Sequence, residues 1–303
     1  MERKVIALAG KTLVVSLPME WVKKNGIKKG DSLPFELGVS KIEIYAHGRA
    51  DKPSKEVTLR LPLEGAAYRI LGALYKAGYD EVEVKSDIKS NLEEIEEVGR
   101  REFVGFEITK KDSGRLGLKM VSRIDSDSFD KMLRRAFLLT LEIAEGSKKS
   151  VTDLDNKEIE RLILLDKEVN KYTDFCRRIL NTTGYTKTEQ ASPLYYIIEE
   201  LEKISDAFRD ILVISKESSG TRAKALDEIH AAAVSEIRSF YELYYGFSIE
   251  SLKKLLTEHE SQKKRLREFM LKSKGVDTLL ASQMQLIDSL IWNTNGAIMI
   301  LKL

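Results

Sequence analysis

The stretch Leu201 to Ile211, LEKISDAFRDI, sets Glu202, Asp206 and Asp210 four residues apart. At helical pitch that spacing stacks three carboxylates along one side. Leu194, Ile197, Leu201, Ile204, Phe208, Ile211 and Leu212 form a separate apolar stripe at the same period, which places the acids beside or opposite the buried face and pointing outward. A row of like charges repels itself. Two readings are open: a hard cation held by oxygen ligands, or a solvated acidic face. Asp166 and Asn170, on the preceding helix, could lie across from the row. The three histidines, His47, His230 and His259, have no metal-ligand spacing, which argues against a zinc hydrolase or zinc finger. A two-metal phosphohydrolase would need bridging ligands from several elements and an open pocket with a poised base, and the sequence shows neither.

Basic residues concentrate at the other end of the chain. Residues 1 to 48 hold eight Lys or Arg (Arg3, Lys4, Lys11, Lys23, Lys24, Lys28, Lys29, Lys41) against five acids, a net of +3 in a chain whose total is +2. With 32% charged residues so nearly balanced, a polyanion-binding surface can only be local. The single cysteine, Cys176, sits at an apolar helical position and cannot form an intramolecular disulfide, so the expected compartment is reducing cytoplasm. No apolar run reaches the length of a membrane span, and no membrane insertion or export is expected.

The elements that position these residues fall into three regions, expected as domains 1–48, 49–125 and 126–303. In the first, residues 3–9 and 12–17 read as a hairpin joined at Gly10-Lys11, Pro18 opens a short helix that Gly26 ends, and strands follow at 33–37 and 41–45. So small a unit has too little surface to bury alone and should be completed by a second copy. In the second region, strand VTLRL, a helix over 66–77, strand EVEV, a helix over 91–101 and strands FVGFEI and LGLKMV give a small βαβαββ layer, with Asp112-Ser113-Gly114 as the last turn. It carries no phosphate loop and reads as a spacer or sensor. Six helices follow, at about 127–149, 156–180, 193–216, 221–245, 249–272 and 277–302. Asp155-x-x-Glu158 serves as a capping box, Ser192-Pro193 as a helix start, and Gly220, Gly246 and Gly275 as stops. A shift of 86 residues carries Leu201 onto Ile287, Ile204 onto Leu290 and Leu212 onto Ile298, which points to two repeats of three helices, about 126–218 and 219–303. The same shift carries Glu202 onto Asp288, but Asp206 onto Trp292 and Asp210 onto Gly296.

Two family resemblances cover most of the chain. Residues 3–45, RKVIALAGKTLVVSLPMEWVKKNGIKKGDSLPFELGVSKIEI, resemble the SpoVT/AbrB family of DNA-binding domains: a hairpin, a hydrophobic strand ending in Leu-Pro, a short helix, then Gly30-Asp31 before another strand. The resemblance implies a dimeric swapped-hairpin β-barrel that contacts DNA through Arg3, Lys4, Lys11, Lys23 and Lys24. Lysine stands where arginine is more usual, and it lacks the planar fork that reads bases. Residues 126–303 resemble the PhoU family of phosphate-uptake regulators, whose signature step matches Leu201-Glu202-Lys203-Ile204-Ser205-Asp206. That resemblance implies an all-α pair of three-helix bundles with a multivalent metal, iron or another, on Glu202, Asp206 and Asp210. Together they imply a cytoplasmic homodimeric regulator of phosphate uptake and homeostasis, not an enzyme. Its partners would be DNA, itself, and phosphate transporter subunits or a signalling protein. The alternatives are a transporter adaptor that dimerises through the barrel without binding DNA, and a metal-dependent phosphohydrolase.

Overall fold

The computed structural model describes residues 2–8, 10–37, 42–45, 54–121, 126–152, 156–182, 188–218 and 222–303. Lys41, Asp155 and Gly220 lie outside them. The chain divides into two compact units, Met1–Lys52 and Pro53–Leu303.

In the first unit, β1 (Ile6–Leu8) and β2 (Thr12–Val14) pair antiparallel, with Ile6 opposite Val14. Gly10 in their connection takes a φ of +70°, a conformation that costs any other residue. Pro18 is the N-cap of α1 (Met19–Lys24), one residue earlier than the sequence suggests. Its end is closed by amide bonds from Gly26 to Lys23 and from Ile27 to Val22, around Gly26 at φ +63°. The Lys28 amide donates to Asp31 Oδ2 at 2.7 Å and leads into β3 (Phe35–Leu37), which pairs antiparallel with β4 (Ile42–Ile44). All four strands are shorter than the apolar runs that predict them. A lone hairpin offers its outer residues no neighbour to extend the ladder.

The second unit begins with β5 (Ser54–Thr58), α2 (Ala67–Lys76), β6 (Glu81–Lys85), α3 (Lys89–Arg101), β7 (Phe106–Asp112) and β8 (Arg115–Met120). The βαβαββ order holds, although β5 starts three residues before VTLRL. The sheet order is β5-β6-β8-β7, parallel between β5 and β6 and antiparallel elsewhere. Alternation decides the faces: Val82 and Val84 are buried with Leu116, Leu118, Leu71, Tyr75 and Ile95. Glu81, in the same strand, pairs instead with Lys119 at 2.6 Å.

Six helices complete the unit: α4 (Ser126–Thr152), α5 (Asn156–Thr182), α6 (Thr188–Glu217), α7 (Lys224–Tyr245), α8 (Ile249–Met270) and α9 (Val276–Lys302). α4, α5 and α6 pack on one another, as do α7, α8 and α9; α6 also packs on α9, and α4 on α7. Ser192-Pro193 does not start a helix. α6 begins at Thr188 and takes Pro193 inside its second turn, where the missing amide costs one backbone bond. Gly275 is the N-cap of α9 rather than a stop for α8.

The layer is fastened to the helices through α5. Arg178, 1% exposed, donates to the carbonyls of Tyr75 at 2.6 Å, Tyr79 at 3.0 Å and Gly78 at 3.3 Å, and pairs with Asp80. It thereby gathers the carbonyls of Gly78 and Tyr79 just beyond α2 and adds a second donor to Tyr75, which already accepts from the Gly78 amide. Its guanidinium lies 5.0 Å from the centre of the Tyr75 ring. Gly78 is required here twice over: its φ is +91°, and a Cβ would come within 2.2 Å of Thr182 Cγ2. Replacing Arg178 with Met removes the donors to these carbonyls and leaves the half-buried Asp80 without its cation. A loss of about 3–5 kcal/mol is expected in urea unfolding, with Lys restoring only part because it offers no fork.

Candidate functional site

In the first unit, Arg3, Lys4, Lys11, Lys23 and Lys24 are all exposed. Lys11 sits at the β1–β2 connection, and Lys23 and Lys24 form the last turn of α1. The apolar residues of the same strands are exposed too: Leu13 at 75%, Leu37 at 74%, and Val5, Ile6, Leu8, Val15, Phe35 and Ile42 in similar degree. None of the described residues of this unit is buried. A hairpin pair with cations at its turns and uncovered apolar faces is an incomplete fold.

The acidic row lies on α6, but it does not point freely outward. Glu202 is half-buried against α5, where Thr173 Oγ1 and the Arg177 guanidinium donate to it. Arg177 also binds Asp174 at 2.9 Å and pairs with Glu199. Asp206 and Asp210 share Arg209, which reaches on to Asp166 at 2.9 Å. Asp166 does lie across from the row: it is buried, and Ser205 Oγ donates to it at 2.7 Å. Asn170 is half-buried with its Oδ1 unpaired. Two arginines have thus been drawn over carboxylates that would otherwise repel. Arg209 was visible in sequence, three residues after Asp206; Arg177, twenty-five residues before Glu202, was not.

Burial holds both the Glu202 and Asp206 carboxyls above the ordinary range. For Glu202 the Arg177 charge pulls back against it; for Asp206 the neighbouring Asp166 adds to the rise before Arg209 opposes it. Among the described residues no group of three or more His, Cys, Asp or Glu side chains is placed to hold a metal ion. As arranged, with guanidinium groups on the carboxylate oxygens, Glu202, Asp206 and Asp210 do not fit a multivalent ion.

The second set of helices has a counterpart that the histidine spacing concealed. The 86-residue shift carries Glu202 onto Asp288 and Thr173 onto His259, and His259 Nδ1 meets Asp288 Oδ1 at 2.7 Å. Trp292, in the place of Asp206, stacks on the His259 ring at 4.1 Å. Beside them burial, reinforced by the charge of Asp288, pushes the Glu236 carboxyl well above the ordinary carboxylate range.

Because the folded state raises the proton affinity of Asp206, its contribution to stability is complete below the unfolded carboxylate range and is lost as pH rises through the folded value. Asp206→Asn needs no proton. Its melting temperature is expected to match wild type near pH 4 and to equal or exceed it at pH 7–8. A large loss at neutral pH would show that the Arg209 pair outweighs burial.

Comparison with known proteins places residues 6–51 in a match to the family model described as antidote-toxin recognition MazE, bacterial antitoxin. This supports a MazE/AbrB-type segment at the N-terminus. No curated protein and no solved structure matches the chain. No helix among the described residues is long and apolar enough to cross a membrane.

Proposed function

We propose that the chain is a homodimeric DNA-binding regulator, working in the cytoplasm and not an enzyme, whose N-terminal segment closes into a swapped-hairpin barrel with a second copy. The observation that carries this is the union, in residues 6–51, of a MazE-type match, exposed cations at Lys11, Lys23 and Lys24, and strands whose described apolar residues are uncovered. Each buried Val, Leu or Ile side chain contributes about 1.5–3 kcal/mol, so a partner supplying cover is worth far more than the segment can gain alone. Lysines would neutralise phosphates and hold the protein on the duplex, while sequence preference would come from few base contacts or from DNA shape.

The helical region is the sensing half in this reading. Its PhoU-like resemblance rests on Leu201 to Asp206, and packing in two sets of three supports a pair of three-helix bundles. Coupling to phosphate uptake through a transporter subunit or a signalling protein is the proposal that follows. An ion on Glu202, Asp206 and Asp210 would have to displace Arg177 and Arg209, so the reading includes no metal-dependent step. The same pairing of the acids with Arg177 and Arg209 weighs against the phosphohydrolase reading.

Light scattering on the full-length chain at micromolar concentration should give a dimer, and Leu13→Glu, which places a charge on the covered face, should give a monomer. A wild-type monomer would sink the barrel. Changing Lys11, Lys23 and Lys24 to Gln removes three charges per chain. In a dimer this should lower the slope of log affinity against log salt by about 5 and abolish binding at physiological salt. Dimers that bind no DNA even at low salt would establish the adaptor instead.

A further inference from the structure

The shift that carries Glu202 onto Asp288 also carries Thr173 onto His259, Arg177 onto Lys263 and Glu199 onto Gln285. In the first set of helices these residues make a closed site. The Arg177 guanidinium, 2% exposed, sits among Glu199, Glu202 and Thr173, with Asp174 behind it. In the second set all four positions line one cavity of about 240 Å³, together with Trp292 and Asn293. The acid is retained and buried, with Asp288 4% exposed. The guanidinium is gone, and Lys263 in its place is exposed.

We propose that this cavity binds a guanidinium group, from a small guanidine or from an arginine side chain of a partner protein, in the position that Arg177 fills from within in the first set. The first site shows what the arrangement accepts: a planar cation with several N–H donors, held by a carboxylate that a neighbour on the adjacent helix orients. The second offers one carboxylate, Asp288, with the side-chain carbonyls of Gln285 and Asn293 as neutral acceptors. Trp292 adds an aromatic surface that favours a delocalised cation. His259, donating from Nδ1, fixes the Asp288 carboxylate as Thr173 fixes Glu202. Lys263 is a competitor on a long stem, a point charge that cannot reproduce the fork.

The chain has two tryptophans, Trp21 and Trp292, so a Trp21→Phe background leaves Trp292 as the sole reporter. Agmatine and a short acetylated peptide containing one arginine are titrated into this full-length protein, with the lysine version of the peptide as control. Saturable change in Trp292 fluorescence at roughly millimolar concentration is expected for the guanidines and not for lysine. Agmatine alone responding identifies a small molecule; the peptide alone identifies a partner's side chain. Asp288→Asn should weaken binding about tenfold or more. Lys263→Ala should tighten it, and Lys263→Arg should abolish it while raising the melting temperature, by rebuilding the first site's plug. The Lys263 variants keep the buried carboxylate, so they stand if Asp288→Asn fails to fold. No saturable response to either guanidine, an equal response to lysine, or unchanged binding by Lys263→Arg would overturn the proposal.

Discussion

Two adjacent arginines buried on α5 govern the larger unit. Removing a guanidinium from water is costly unless its donors find acceptors; Arg177 and Arg178 meet most of that need through their terminal nitrogens, in opposite directions, while both Nε–H groups stay buried without a partner. Arg178 turns toward the layer and takes carbonyls at the end of α2. Arg177 turns toward α6 and takes carboxylates. Asp174, one turn earlier and fully buried, joins the two sides: it accepts from Arg177, from Lys76 at 2.8 Å and from the Tyr68 hydroxyl at 3.0 Å. Burial and that same carboxylate push the Tyr68 phenol up, so it remains a donor at any physiological pH. The layer cannot turn against α5 without leaving several of these groups unpaired. The layer, α5 and α6 thus share one network of charges.

The first unit follows a different logic. None of its described residues has a buried side chain, and Lys11, Lys23 and Lys24 stand exposed at a strand connection and at a helix end, where they remain solvated. What the second unit achieves with an internal network, the first would gain from the proposed association, and its folding would then depend on protein concentration.

The long elements were legible in the sequence because an apolar stripe over twenty or more residues has only one period. The helix starts near 126, 156, 249 and 276 and the βαβαββ order follow from it. Pro193 misled because proline marks a helix start only as a tendency, and a second-turn proline sacrifices a single bond. The acidic row was legible as a row but not as a site. Spacing tells which carboxylates are neighbours and is silent on which distant cation will cover them, as Arg177 covers Glu202. Arg209 was within reach of local reasoning, since residues three apart on a helix meet.

The two sets of helices also show which parts of such a site can change. Leu201 and Ile287, Ile204 and Leu290, Leu212 and Ile298 correspond under the shift, and all six are buried. Those positions answer to volume, and a core tolerates only apolar groups of similar size. The polar positions answer to a different rule: a buried carboxylate must have a donor, whatever its type. Thr173 with Arg177 satisfies it for Glu202, and His259 for Asp288. With the orienting donor supplied by His259, the buried Asp288 carboxylate is satisfied without a guanidinium at position 263, and the space beside it is a cavity.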